Sequence, residues 1–213
     1  MRYLLLASLL LIVATACTPV LFEQPQPKGL LRLGAFPEEL RGAYVSERDT
    51  IVVGPREIAY SIWHDYTVKT GKLDSLDLEI RDGRLYDRAS GRQHAFTVED
   101  DQLKYSWHEY QLMGLSDTLF VSRDDRRSYL NFWTDEGWYL VLLHRDAQGQ
   151  LVMESLDQNE EKVAAYGKLI DLKPVLDTSG EVDYYIADPS YKQLMRLFEA
   201  GAFVEENRFL PVK

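Results

Sequence analysis

Short apolar runs separated by polar turns recur along much of the chain, and one of them alternates with a period of two. Leu76, Leu78 and Ile80 are spaced by Asp77 and Glu79, the pattern of a strand with one buried face. Short runs rich in β-branched and aromatic residues recur at 50–53, 57–62, 93–98, 103–107, 119–122, 129–133, 138–144 and 151–156. Polar turns separate them. Asp82-Gly83 is the strongest two-residue hairpin signal, and Glu99-Asp100-Asp101, Asp135-Glu136-Gly137 and Gln148-Gly149 act similarly. Such close spacing predicts a mainly β fold, an antiparallel meander closed as a barrel or folded as a sandwich.

The pattern changes after Asp157. Asn159-Glu160-Glu161 predicts a short helix through Tyr166, with negative charge at its positive end. Residues 182–186 read as a strand. Asp188-Pro189 predicts the cap and first turn of a second helix, along which Tyr191, Leu194, Met195 and Phe198 make one apolar stripe. That stripe reads as core packing, so two short C-terminal helices pack on the β domain. Phe203, Phe209 and Leu210 are expected to tuck the tail onto it.

The first residues follow another logic. Met1-Arg2 is a positive start, residues 3–14 are apolar except Ser8, and Ala14-Thr15-Ala16-Cys17 closes the run. A dozen apolar residues suit a secretory leader and fall short of the roughly 20 that span a bilayer. Cys17 is the only cysteine. These residues resemble the lipobox of bacterial lipoproteins, with Ala14 where Leu is commoner. The resemblance implies cleavage before Cys17, a diacylglyceryl group and an N-acyl chain on Cys17, and a protein held to a membrane without crossing it. Thr18 is not the Asp that retains some lipoproteins in an inner membrane, so outer-membrane sorting is expected. No other cofactor is expected.

Residues 1–16 are therefore read as signal peptide and 17–34 as the lipidated Cys with an extended tether, because Pro19, Pro25 and Pro27 alternate with Gln24 and Gln26, with Phe22 either a foot that docks on the domain or part of a free linker. Residues 35–213 are read as a single β-rich domain, with an α/β extension from about 158. Phe36-Pro37, Leu40, Gly42 and Tyr44 predict a helical turn entering a strand. This entry is similar to that of lipocalin-like barrels, with Tyr44 in place of Trp. Together with the lipobox, the segment 22–27 and the 189–198 helix, it resembles uncharacterised Bacteroidetes-type envelope lipoproteins, a likeness that implies envelope location and brings no functional residues.

Losing Arg2 with the leader takes the formal charge from −10 to −11. So acidic a chain argues against nucleic acid and against adhesion to anionic headgroups. With Cys17 acylated no thiol remains, so disulfides and thiol catalysis are excluded.

The most specific internal feature is a near repeat. Trp63-His64-Asp65-Tyr66 recurs as Trp107-His108-Glu109-Tyr110. In a strand, Trp and the acid point one way, His and Tyr the other. If the copies pair, His64 and His108 are expected to face each other and could hold a transition metal with further ligands such as His94 or His144. The other readings are a duplicated hairpin unit and an aromatic ligand cleft. The charged turn Asp124-Asp125-Arg126-Arg127 reads as a hairpin tip, because it lacks the alternating acids and glycine of a calcium loop. No nucleophile elbow, His-Glu-x-x-His or phosphate loop is present. The chain is thus expected to be a lipid-anchored, non-catalytic binding module for a small ligand or protein. The alternatives are an accessory subunit of an envelope complex and a metal- or carboxylate-dependent hydrolase.

Overall fold

The computed structural model describes residues 19–212. The leader and Cys17 lie outside that range. The first elements are β1 (Val20–Phe22), β2 (Arg32–Leu33), a 3-10 turn (Glu38–Leu40), β3 (Gly42–Ser46), β4 (Asp49–Val53) and β5 (Glu57–Lys69). Next come β6 (Leu78–Arg81), β7 (Arg84–Asp87), β8 (Gln93–His94), β9 (Phe96–Glu99) and β10 (Gln102–Gly114). There follow β11 (Leu119–Arg123), β12 (Ser128–Trp133), β13 (Trp138–Arg145) and β14 (Leu151–Leu156). The chain ends with α1 (Glu160–Tyr166), β15 (Leu172–Leu176), β16 (Val182–Ala187), α2 (Tyr191–Glu199) and β17 (Phe203–Pro211). The fold is mainly β, its sheets largely antiparallel, with two helices. No closed barrel is found among the described residues. The described residues fall into two compact units: 19–35, 115–146 and 151–208 form the first, and 36–114, 147–150 and 209–212 the second.

In the first unit β11, β12, β13 and β14 form an antiparallel meander. β1 adds antiparallel to β13, with Phe22 opposite Trp138, and parallel to β16, with Val20 opposite Tyr185. Val20, Phe22, Tyr129, Leu140, Leu142, Val163, Leu194 and Leu197 share one buried cluster. Val20 and Phe22, within the segment read as a tether, are therefore part of this core. Val20-Leu21-Phe22 is the only apolar triplet between Cys17 and Ala35, and all three residues are buried. Burying each contributes about 1.5–3 kcal/mol, which exceeds the roughly 1–2 kcal/mol of backbone entropy lost per residue. Further on, Gln26 is fully buried. Its N–H donates to Asn131 Oδ1 and its carbonyl accepts from Asn131 Nδ2, both at 2.7 Å. The prolines here shape a docked loop, with a cis peptide at Gln26-Pro27.

α1 starts as predicted: Asn159 caps it by accepting from Glu161 N–H. The cap of α2 is Ser190, in a capping box with Gln193, and not Asp188. Its buried residues are Leu194 and Leu197, while Tyr191 is exposed. Met195 and Phe198 of the predicted stripe pack half-buried against the same core as Leu194, Leu197 joins them, and only Tyr191 falls outside it.

The second unit holds two sheets. The larger runs from the end of β17 through β3, β4, β5 and β10 to β9; Leu210 pairs with Val45, Tyr44 with Ile51 and Val52 with Ala59. One face carries Tyr44, Ile51, Val53, Ile58 and Phe209, all buried. Tyr44 donates its hydroxyl to Leu40 O at 2.8 Å, so the aromatic after Gly42 ties the 3-10 turn to this face. The small sheet β6-β7-β8 turns at Asp82-Gly83, where both φ angles are positive, +52° and +71°. Asp and Gly suit that left-handed pair. Leu78, Leu85 and Leu103 form a compact cluster with Val68, Leu73, Phe96 and Tyr105 against it.

Candidate functional site

The repeated motif lies on β5 and β10, which pair antiparallel over thirteen residues each. Trp107 stands opposite His64 and His108 opposite Trp63. Cross-strand partners share a face, so each face of the ribbon carries one Trp-His pair made from both copies. His64 and His108 are consequently on opposite faces. The copies do pair, as one reading required, but the register is odd and the expected His-His meeting does not occur.

On one face the His64 ring stacks on Trp107 at 4.6 Å and 17°. Arg92 lies over the same Trp107 ring at 4.6 Å. His64 Nε2 is 3.0 Å from Glu109 Oε2, and Gln111 Nε2 donates to Glu109 Oε1 at 2.5 Å. The hydrogen bonds from Gln111 and His64 hold the Glu109 carboxyl below its ordinary value. Tyr66 and Tyr105 stack at 5.1 Å, and His94, buried, tilts against Tyr105 at 5.3 Å.

The other face repeats the arrangement with different partners. Trp63 tilts against His108 at 4.9 Å, and Arg48 lies over Trp63 at 4.8 Å. Ser61 Oγ is 2.6 Å from His108 Nε2. Asp65 accepts from Ser106 Oγ and from Arg48 Nη1, which together hold its carboxyl below its ordinary value. Asp49 Oδ1, at the start of β4, accepts the Trp63 N–H at 2.8 Å, taking over beyond the last β4–β5 pair, Thr50 and Ser61. Each Trp is thus sandwiched between an Arg and a His. Tyr110 stands free, 63% exposed.

No three potential metal ligands converge among the described residues. Among the described residues a His-carboxylate hydrogen bond is found at His64-Glu109, and no Ser, Thr or Cys there is hydrogen-bonded to that His. Asp124, in the charged turn, is occupied by the Arg126 and Arg127 amides and the Tyr129 hydroxyl. The depression beside Asp65, Tyr66, Phe96 and Tyr105 has a volume of about 400 Å³ and is open to solvent.

A second surface was not anticipated. On the face of the larger sheet opposite Tyr44 and Ile51, register places Val212, Leu210, Ala43, Val45, Thr50, Val52, Ala59, Ser61, Tyr110 and Leu112 side by side. None of them is charged and none is buried. Leu112 is 62% exposed, Val212 55%, Leu210 52% and Val52 42%. Leu210, expected to tuck inward, faces outward, because Phe209 takes the buried side. The alternation of residues 50–53 and 209–212 contained this surface, but alternation does not say whether the second face is covered. No known family model, curated protein or solved structure matches the chain.

Proposed function

We propose that the chain is a lipid-anchored envelope protein that acts without catalysis by docking a protein partner on the open face of its second unit. The observation that carries this reading is the uncharged patch of those ten residues across β17, β3, β4, β5 and β10, with Glu57 and Asp65 of β5 at its margins. Five strands at about 4.8 Å spacing make it about 20 Å wide. Its exposed Val52, Tyr110, Leu112, Leu210 and Val212 reach the few hundred Å² of contiguous apolar surface that marks interaction sites. Trp63 with Arg48, and His108 with Ser61, form a polar, aromatic rim at one end, the composition that protein interfaces favour. A small-ligand site would need concave walls, and the depression along the ribbon is open. A hydrolase centred on His64 would need a nucleophile or further metal-ligating side chains beside it, and among the described residues no third His, Cys, Asp or Glu joins the His64-Glu109 contact.

The anchor belongs to the same reading through Cys17. The test places a photo-crosslinking amino acid at Val52 in the acylated protein, in its native membrane. A discrete crosslinked species is expected, absent when Leu210→Lys charges the face and unaffected when Glu39→Lys alters a surface elsewhere. Equal crosslinking in all three proteins would overturn the proposal.

A further inference from the structure

β10 is thirteen residues long, yet only its start has a neighbour on both sides. β5 pairs with it from Gln102 to Gly114, β9 only from Gln102 to Tyr105. Beyond Tyr105 no strand among the described residues pairs with its second edge.

The turn into β10 determines which backbone groups face that edge. Asp100 and Asp101 have φ of +47° and +63°, a two-residue primed turn, so Glu99 and Gln102 exchange hydrogen bonds. Even-numbered residues of β10 therefore point N–H and C=O toward β9, odd-numbered ones toward β5. The Gly54 N–H donating to Glu57 O sets the matching phase on β5, whose odd residues face β4. Past Tyr105, then, His108, Tyr110 and Leu112 aim both backbone groups off an unoccupied edge. Tyr110 and Leu112 are also the most exposed large apolar side chains of this unit, at 63% and 62%. The stretch 106–114 carries one charge, Glu109, and neither Pro nor Lys, the residues that usually guard an edge.

We infer that this edge pairs antiparallel with the same edge of a second copy of this chain, about a two-fold axis at Gln111. Pairing identical strands antiparallel is isologous by construction. At this register Tyr110 lies opposite Leu112 of the second copy, and Leu112 opposite Tyr110. All four residues have outward backbone groups, so both pairs exchange hydrogen bonds, and both gain an aromatic-aliphatic contact. His108 falls opposite Gly114, where no side chain blocks the imidazole. Glu109 falls opposite Met113, so like charges do not meet. A one-residue slip would put Tyr110 opposite Gln111 and aim one partner's backbone groups away from the other. The exposed parts of Tyr110 and Leu112 amount to about 280 Å² per copy, about a third of the roughly 800 Å² per partner in a standard interface. With the backbone edge added, the contact belongs with weak, reversible interfaces, which confinement of both copies to one membrane would strengthen. It also joins two open faces into one continuous surface.

The experiment uses the full chain in detergent, with Cys17→Ser so that one introduced thiol is the sole one. Gln111→Cys puts two thiols across the axis in a non-hydrogen-bonded pair, about 4.5 Å between Cα atoms, within disulfide reach. Mild oxidation is expected to give a reducible dimer. Glu109→Cys, whose counterpart lies about 14 Å away along the strand at 3.4 Å per residue, is expected to give at least tenfold less. Adding Leu112→Pro to Gln111→Cys removes an outward N–H and no bond to β5, and is expected to abolish the dimer while leaving thermal unfolding cooperative. Equal yields at 109 and 111, no dimer at 111, or a dimer that survives Leu112→Pro would each overturn the inference. The inference needs the edge alone; the Val52 crosslink tests the docking face separately.

Discussion

Asn131 is the residue on which the docking of the chain's beginning depends, and Asn131→Ala tests that directly. Asn131 is 1% exposed on β12 and holds the Gln26 backbone by both its N–H and its carbonyl, at 2.7 Å each. Alanine removes both partners and supplies none. A buried backbone group left unpaired costs about 1–3 kcal/mol, so the loss is about 2–5 kcal/mol, with the lower half expected if one group relaxes toward water. For a domain of this size about 2–4 °C of melting temperature accompanies each kcal/mol, giving a fall of roughly 5–15 °C in the transition of the first unit. Calorimetry of the full chain in detergent reads it. Asn131→Asp sharpens the case. An ionised carboxylate still accepts the Gln26 N–H but faces the Gln26 carbonyl with a negative charge in a buried site, so it should be at least as damaging as alanine. A fall below about 2 °C for alanine, or wild-type stability for aspartate, would refute the view that residues 24–28 are a docked part of the fold.

Three further outcomes are expected. Phe22→Ala, at a side chain 1% exposed in the first unit's core, should cost about 3–5 kcal/mol in urea unfolding, whereas a residue in a free tether would cost nothing measurable. Ser190→Ala breaks the capping box with Gln193 and should cost about 1 kcal/mol; helix α2 amides should exchange hydrogen correspondingly faster. Hydrogen bonds from Gln111 and His64 hold the Glu109 carboxyl below its ordinary 4.5. Its contribution is therefore present above that ordinary value and is lost as pH falls through the lowered one. Glu109→Gln should flatten the acid limb of stability below about pH 4.5; an equally steep limb in the variant would contradict the assignment.

The strands of the meander were legible because burial of consecutive residues on both faces makes each a short apolar run bounded by polar turns. β11, β12, β13 and β14 appear within a residue or two of their predicted bounds. β5 and β10 were read far too short, as 57–62 and 103–107, and the reason is physical. Residues 63–69 and 108–114 are almost all exposed or half-buried on both sides, so nothing selects apolar residues at every second position. The repeat of Trp-His-acid-Tyr was visible, but the faces were not. Whether His64 meets His108 depends on the parity of the register, which the turns at Pro55-Arg56 and Asp100-Asp101 set together, away from the motif. Val20-Leu21-Phe22 was visible as an apolar triplet and was outweighed by the prolines around it, although Pro25 and Pro27 are compatible with a docked loop as well as an extended one.

That misreading changes what an anchor at Cys17 would do. If β1 began a free tether, eleven residues or so would separate lipid from protein. Instead only Thr18 and Pro19 lie between Cys17 and Val20, and three residues of extended chain reach about 10 Å. Acylation at Cys17 would therefore hold the first unit against the headgroups at the end of the sheet where β1 begins. Val20 pairs with Tyr185 in parallel, so Asp183, exposed, lies at that end and Asp188 at the other. A fluorophore on a cysteine introduced at Asp183 should be quenched strongly by nitroxide-labelled headgroups in vesicles of the acylated protein, and one at Lys192 only weakly. Inserting ten Gly-Ser residues after Thr18 lengthens the leash several-fold and should erase the difference. Equal quenching at the two positions before the insertion would show that the chain is not held by its beginning.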